Sequence, residues 1–164
     1  MLHPVWWRRK RPPWLYKSIG VSELIFDETE VRVRFYEADM WQMGWHGHYV
    51  AWFEVGRIEL ARRFGLMPAD FETAGCVAPV INLNIDYKAM AKFDDVLTIR
   101  TAVRVPTKAA LTFEYQAVRK SDGRLLARGE TTQVLLNTQG DMLYIIPAAL
   151  RDKVGEMVMF CNPE

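Results

Sequence analysis

The sequence contains little cysteine, little net charge and no long apolar segment. Its two cysteines, Cys76 and Cys161, are too few for a disulfide framework and suit a reducing compartment, so we expect a cytoplasmic protein. No apolar run approaches the roughly 20 residues that cross a bilayer. The first 14 residues, MLHPVWWRRKRPPW, have no apolar segment after their charges, so they do not resemble a signal peptide. The net charge of +1 predicts no general affinity for nucleic acid.

The charge is unevenly distributed along the chain. Residues 1–17 contain five of the 21 basic residues and no acid, so the remaining 16 basic residues are outnumbered by 20 acidic ones. The same segment contains three tryptophans and three prolines, and proline disrupts helices. We interpret residues 1–29 as an N-terminal arm that packs on its own domain or on a partner subunit. Contact between residues 1–17 and an anionic membrane surface is the alternative.

The rest of the chain, residues 30–164, is long and hydrophobic enough for one domain with its own core. EVRVRFY (30–36) alternates in polarity and predicts a half-buried strand with Val31, Val33 and Phe35 on one face. From about His48, apolar residues recur three and four positions apart, which predicts a helix that ends at Gly65. The apolar face of this helix is formed by Tyr49, Phe53, Leu60 and Phe64, with Val50, Ile58 and Ala61 beside them.

Strand patterns dominate after this helix. Residues 66–76 predict a loop or a short helical turn, and the segments that follow predict strands within 78–89, 96–105, 110–120, 125–137 and 142–146. SDGR and TQGD predict turns, and the tail from Ala148 predicts a helix to about Met159. A long helix with one apolar face must be covered on that face. We therefore predict an α+β fold in which one curved antiparallel sheet wraps around a central helix.

The chemically notable segment is the loop before this helix, where Glu37, Asp39, His46 and His48 lie close together in sequence. A carboxylate can attack a carbonyl or activate water, and a helix N-terminus offers free N–H groups and a partial positive charge. Asp39 could instead be a loop or N-cap acid, and His46 a loop imidazole bonded to the backbone. For His48 we favour a capping or packing role, and for Glu37 a solvated one. A zinc site formed by His46, His48 and an acid is a further alternative.

The segment from Phe35 to Phe53, together with KFDDVLTIRT at 92–101, resembles the hotdog-fold acyl-CoA thioesterases of the 4-hydroxybenzoyl-CoA thioesterase type. These proteins have the motif D-x-x-x-x-x-x-[HY]-x-x-Y between a strand and the central helix. Asp39, His46 and Tyr49 match it without a gap. A later strand of the family opens with an acid, which Asp95 matches. The resemblance extends over residues 30–148.

The resemblance implies the hotdog fold and thioester hydrolysis, with Asp39 as nucleophile or general base. It also implies that a backbone N–H near His46 polarises the thioester carbonyl and that the His46 side chain adds a second donor. We expect His48, Tyr49 and Lys108 around the substrate. Lys108 lies where relatives place basic residues that meet nucleotide phosphates.

The same resemblance implies that the reaction needs no metal and no cofactor apart from the coenzyme A of an acyl-CoA substrate. An acyl carrier protein is the alternative carrier of the thiol. Relatives pair edge to edge, so we expect a homodimer or a homotetramer with active sites at the seam. Two other functions stay open at this point. One is a hotdog enoyl-thioester hydratase or dehydratase, and the other is a non-catalytic module that binds acyl thioesters.

Overall fold

The computed structural model describes residues 24–106 and 108–163. Within them the chain forms seven strands and three helices, in addition to a 3-10 turn at Phe35–Glu37. The strands are β1 (Asp27–Arg32), β2 (Cys76–Val77), β3 (Val80–Tyr87), β4 (Val96–Val103), β5 (Ala110–Arg119), β6 (Leu125–Val134) and β7 (Leu136–Asn137). The helices are α1 (His48–Arg63), α2 (Pro68–Thr73) and α3 (Ala148–Cys161). No described helix is both long and apolar enough to cross a membrane.

Five strands form one antiparallel sheet in the order β1-β4-β5-β6-β3, and β2 pairs with β7 in a separate two-stranded sheet. The predicted SDGR turn joins β5 to β6, and Gly123 within it has a φ of +69°, which glycine adopts without strain. Gly140 in the TQGD turn has a φ of +89°. The predicted order of one strand, a long helix and then antiparallel strands is confirmed, and β3, β4, β5 and β6 are the strands of this sheet that follow α1.

Helix α1 packs across this sheet and forms the core with it. The alternate residues Leu111, Phe113, Tyr115 and Ala117 of β5 are buried, as a strand with one covered face requires. Phe53 stacks on Tyr115 with ring centroids 4.8 Å apart. The predicted helix is confirmed, but its buried face is centred differently. Trp52 and Gly56 are buried with Tyr49, Phe53 and Leu60, whereas Val50 is 39% exposed.

Helix α1 approaches the sheet closely at Gly56. A Cβ atom at this position would lie 2.4 Å from Thr101 Oγ1 and 2.7 Å from Ile99 Cγ2 on β4. Both neighbours are buried β-branched side chains, which have little rotamer freedom to move away. The absence of a side chain at Gly56 therefore sets the distance between the helix and the sheet.

Two predicted strands are wrong in part or in full. The first strand ends at Arg32 rather than at residue 36, and Phe35 is 81% exposed in the 3-10 turn that follows. Within the described residues, MLYII (142–146) makes an isolated bridge between Met142 and Leu136 and a backbone bond from the Leu143 N–H to the Leu135 carbonyl, while Tyr144 and Ile145 are exposed. In both places the alternation of apolar residues continues past the point where a neighbouring strand is available for pairing.

The folded domain begins before residue 30. Strand β1 starts at Asp27, and Leu24 and Phe26 pack against the core, so the last residues of the predicted arm belong to the domain. Residues 1–23 lie outside the described residues. The predicted packing of this arm, and the alternative contact between residues 1–17 and a membrane surface, therefore stay predictions.

Strand β3 lies at one edge of the sheet, next to β6. Its sequence alternates as predicted, yet both faces are open to solvent. Val80 is 44% exposed, Ile81 62% and Leu83 42%. An edge strand with exposed apolar side chains and unpaired backbone groups is a template for pairing with another chain.

Candidate functional site

The loop between the 3-10 turn and α1 is folded back on itself and fixed to the connection between β3 and β4. Within the loop, Ala38 bridges to Gly44. Met43 bridges to Lys92, and the Gly44 N–H donates to the Ala91 carbonyl over 2.9 Å. These bonds place the loop at the N-terminal end of α1, where the sequence predicted it.

Asp39 lies at the base of this loop and is partly exposed. Its Oδ1 accepts the backbone N–H groups of Trp41 at 2.8 Å and Met43 at 3.2 Å. Its other oxygen, Oδ2, has no hydrogen-bond partner among the described residues. One half of the carboxylate thus shapes the loop, as the loop-acid alternative requires, and the other half is available for chemistry.

The N-terminus of α1 has open backbone donors. The helix is capped by Gly47, which has no side chain to satisfy them, and in the described part of the chain the N–H groups of His46 and Gly47 have no acceptor. The Tyr87 hydroxyl donates to the His46 carbonyl over 2.9 Å. Because that carbonyl and the Gly47 N–H belong to one planar peptide and point in opposite directions, Tyr87 fixes the direction of the Gly47 N–H.

The two histidines of the loop differ in their surroundings. His46 is exposed, and its ring lies beside Trp45 with centroids 4.7 Å apart. His48 packs among the rings of Tyr36, Trp45 and Trp52, at centroid distances of 6.3, 5.5 and 6.5 Å. This agrees with the packing role favoured for His48. Among residues 24–106 and 108–163, no group of three His, Cys, Asp or Glu side chains is placed to hold a metal ion.

Glu37 was predicted to be solvated, and this is wrong: it is only 8% exposed. One carboxylate oxygen accepts the Arg34 backbone N–H at 2.7 Å, and the other accepts the Trp52 indole N–H at 3.2 Å. Its own carbonyl accepts the Trp45 N–H at 2.8 Å. Glu37 therefore connects the 3-10 turn to α1 and to the loop that contains Asp39. The indole partner lies 15 residues away, beyond the reach of a local pattern.

Of the other expected substrate residues, Tyr49 is buried and Lys108 is exposed. The Tyr49 hydroxyl accepts the Ala91 N–H at 3.0 Å, and burial raises the pKa of this phenol above its ordinary value. Tyr49 is thus first a core residue that connects α1 to the segment after β3. The contacts of Tyr49 with Ala89 and of Tyr87 with His46 each join residues about 40 positions apart in the chain.

A cleft of about 290 Å³ opens further along α1. Its walls are mainly apolar and come from α1, α2, β5 and α3, including Ile58, Phe71, Leu111, Phe113 and Met157. At its polar side, Arg57 pairs with Glu54 and donates to Gln133 at 2.9 Å. The cleft offers an apolar surface on the same helix whose N-terminus presents the open donors.

Replacing Glu37 with glutamine tests its role in holding the loop. The amide nitrogen of Glu37→Gln cannot accept a hydrogen bond, so either the Arg34 N–H or the Trp52 indole loses its acceptor. Because an unsatisfied buried group costs about 1–3 kcal/mol, we expect a lower free energy of unfolding by about 1–2 kcal/mol, measured by denaturant titration. Glu156→Gln, at an exposed position of α3, is the control. Equal stability of the two variants would contradict the role assigned to Glu37.

Comparison with known proteins agrees with this architecture. The model of the thioesterase-like superfamily matches residues 33–154. The acyl-CoA thioester hydrolase YbgC of Escherichia coli is 28% identical over 120 residues, which cover 73% of this chain and 86% of YbgC. The long-chain acyl-CoA thioesterase FadM of Escherichia coli is 25% identical over 135 residues, which cover 80% of this chain and 98% of FadM.

Solved structures show the same fold. The DHNA-CoA thioesterase from Staphylococcus aureus superposes with a TM-score of 0.73 at 24% identity, over 81% of this chain and 91% of that one. The antiparallel sheet around α1 is therefore the hotdog fold that the sequence predicted. Together with the family match over most of the described residues, this establishes that the chain belongs to the thioesterase-like superfamily.

Proposed function

We propose that this enzyme hydrolyses acyl-CoA thioesters to a free acid and a thiol. The observation that supports this most strongly is the placement of Asp39. Its unpaired Oδ2 belongs to a loop that leads directly into the open N–H groups at the start of α1. A carboxylate next to preorganised backbone donors is the minimum that acyl transfer to water requires.

In the proposed reaction the thioester carbonyl oxygen is held by the backbone N–H groups of His46 and Gly47. One such donor contributes about 3–4 kcal/mol to the transition state. Asp39 Oδ2 either attacks the carbonyl carbon or removes a proton from the attacking water. In either case the C–S bond breaks and the thiolate leaves. If Asp39 acts as the base, the water oxygen becomes part of the free acid, and the proton passes from Asp39 to the thiolate. If Asp39 attacks, an acyl-aspartate anhydride forms, water then hydrolyses it to the free acid and the Asp39 carboxylate, and the proton released from that water balances the thiolate. The exposed imidazole of His46 stands beside the same donors and is proposed to add a further hydrogen bond to the oxygen.

The apolar cleft along α1 supports an acyl substrate. Its walls of Ile58, Phe71, Leu111 and Phe113 favour an alkyl or aryl group over a polar one, because burying apolar surface stabilises by about 25 cal/mol per Å². YbgC and FadM are themselves named as acyl-CoA hydrolases. We propose the same class of substrate for this chain.

Release of free thiol from a panel of acyl-CoAs tests this function. Hydrolysis of one or more acyl-CoAs with stoichiometric thiol release supports it. The hydratase alternative predicts a change in enoyl absorbance without thiol release, and a binding module predicts neither signal. Either pattern would reject thioester hydrolysis.

We also propose that two copies of the chain pair through β3 into one continuous sheet. The exposed apolar edge of β3 is the support for this, because native proteins cover such edges. Leu83→Lys would place like charges near each other across a two-fold seam and remove apolar burial worth about 1.5–3 kcal/mol per side chain. We expect dimers by light scattering for the wild-type chain, and dissociation at least tenfold easier for the variant.

Met159→Lys is the matched control for this variant, since Met159 is an exposed apolar residue on α3. It should leave the dimer intact. A wild-type chain that is monomeric at micromolar concentration with full activity would reject the proposed pairing, and so would a Leu83→Lys dimer as stable as the wild type.

A further inference from the structure

A recess of about 550 Å³ lies between the segment that follows β3 and the tip of the β5–β6 hairpin. It is lined by Tyr87, Lys88, Ala89, Met90, Lys92, Arg119 and Arg124. Four of these seven residues are cationic and none is acidic. A concave surface lined by one sign of charge concentrates ions of the opposite sign, so the recess is suited to an anion.

Two of the four cations already lie beside carboxylates. Arg119 pairs with Asp95 and with Asp122, each at 3.0 Å, and Lys88 lies 3.5 Å from Asp86. The side chains of Lys92 and Arg124 are exposed and have no ion-pair partner among residues 24–106 and 108–163. The recess therefore presents two charged donors whose capacity is unused within the described chain.

Two residues of the recess also contact the candidate active site. Tyr87 lines the recess, and its hydroxyl holds the His46 carbonyl at the start of α1. The backbone of Lys92 bridges to Met43, which lies in the loop formed around Asp39. One short segment, residues 87–92, thus forms a wall of the recess and supports the reacting centre.

We infer that this recess binds phosphate groups on the thiol that carries the acyl group, with Lys92 and Arg124 as the donors. The inference rests on the proposed hydrolysis of acyl thioesters. When the thioester is held at the start of α1, the acyl group enters the apolar cleft and the thiol portion of the substrate stays outside it. The phosphates are the anionic groups of that thiol portion. Arginine and lysine are the side chains that bind phosphate with charge-assisted hydrogen bonds. Lys108, the residue expected from sequence to meet phosphate, does not line this recess.

The phosphates could belong to the nucleotide of coenzyme A or to the phosphopantetheine of a carrier protein. Four thioesters with the same acyl group separate these sources: acyl-CoA, acyl-dephospho-CoA without the 3′-phosphate, acyl-phosphopantetheine with one phosphate, and acyl-pantetheine with none. Steady-state kinetics on all four would be measured for the wild type, Lys92→Gln, Arg124→Gln and the double variant. Because exposed charge pairs contribute little individually, the double variant is the decisive one.

For the double variant we expect KM for acyl-CoA to rise about tenfold with kcat nearly unchanged, since the donors act on binding and not on the reacting atoms. The rise should shrink as phosphates are removed and fall below about twofold on acyl-pantetheine. Added salt should raise the wild-type KM for acyl-CoA more than that for acyl-pantetheine. Arg151→Gln removes one exposed cation from α3 and is the control, expected to leave every KM unchanged.

A rise confined to the substrates that carry nucleotide phosphates would assign the recess to coenzyme A. If KM for acyl-phosphopantetheine rises as much as KM for acyl-CoA, the recess binds the phosphate that coenzyme A shares with a carrier protein. An equal rise on all four substrates, no rise at all, or a rise produced by Lys108→Gln instead would overturn the assignment. Calorimetric titration with coenzyme A separates this inference from the proposed function. Binding that depends on Lys92 and Arg124 in a chain that hydrolyses none of the four substrates would reject hydrolysis alone.

Discussion

Asp39→Asn is expected to lower kcat for thioester hydrolysis by about 10²–10⁴, the range for a positioned acid–base group. The asparagine side chain keeps an oxygen that can accept the N–H groups of Trp41 and Met43, so the loop should retain its shape. It lacks the negative charge that either proposed role of Asp39 requires. The measurement is thiol release at saturating acyl-CoA, with folding checked by circular dichroism and thermal unfolding.

Two further variants serve as comparisons for Asp39→Asn. Asp39→Ala removes the loop hydrogen bonds as well as the charge, so it should lower both kcat and stability, whereas Asp39→Asn should lower kcat alone. Asp141→Asn changes an exposed turn aspartate and should leave hydrolysis as it is. A folded Asp39→Asn enzyme with nearly wild-type thiol release would show that the carboxylate is structural and would remove the proposed mechanism.

The elements that could be predicted from sequence are those in which local periodicity and tertiary packing agree. The apolar spacing from Tyr49 to Leu60 predicts α1 correctly, because the sheet buries the helix face that carries these residues. In strand β5 the alternation of apolar and polar residues also predicts burial correctly, because α1 packs on the face that carries the alternate residues from Leu111 to Ala117. Gly123 and Gly140 mark turns because positive φ angles are accessible to glycine.

The errors arise where the pattern continues without a partner. Phe35 extends the alternation of β1, but the chain has already turned there, so that Glu37 accepts a hydrogen bond from the Trp52 indole. Ile145 extends an apparent strand whose backbone pairing, among the described residues, stops at Met142 and Leu143. In β3 the alternation is real, but Ile81 and Leu83 are exposed within the described residues.

The candidate site was predictable to the extent that it is contiguous in sequence. Asp39, His46 and the helix start lie within ten residues, and the motif connects them directly. Tyr87, Ala91 and Lys92 contact the same loop from a segment about 40 to 50 residues away. No local signal marks such residues, because their role depends on how the sheet returns the chain to the start of α1.

Gly56→Ala is expected to destabilise the core strongly. The new Cβ would lie well inside contact distance of Thr101 Oγ1 and Ile99 Cγ2, and Thr101 is only 1% exposed. Inserting a methyl group into a packed core costs about 1–3 kcal/mol, here at the upper end because two stiff side chains of β4 must move. The free energy of unfolding, from denaturant titration with an unchanged m-value, is the measurement.

Gly155→Ala provides the matched control, because Gly155 lies inside α3 and a Cβ there meets nothing within 4 Å. Both variants gain the same helix propensity, about 1 kcal/mol over glycine, so their difference isolates the contact between α1 and β4. We expect Gly155→Ala to be more stable than Gly56→Ala by about 3 kcal/mol. Hydrolysis should also fall in Gly56→Ala, because a helix lifted from β4 carries the His46 and Gly47 donors away from Asp39. If both substitutions stabilise equally, α1 is free to shift on the sheet, and its N-terminus is not the fixed donor that the proposed mechanism requires.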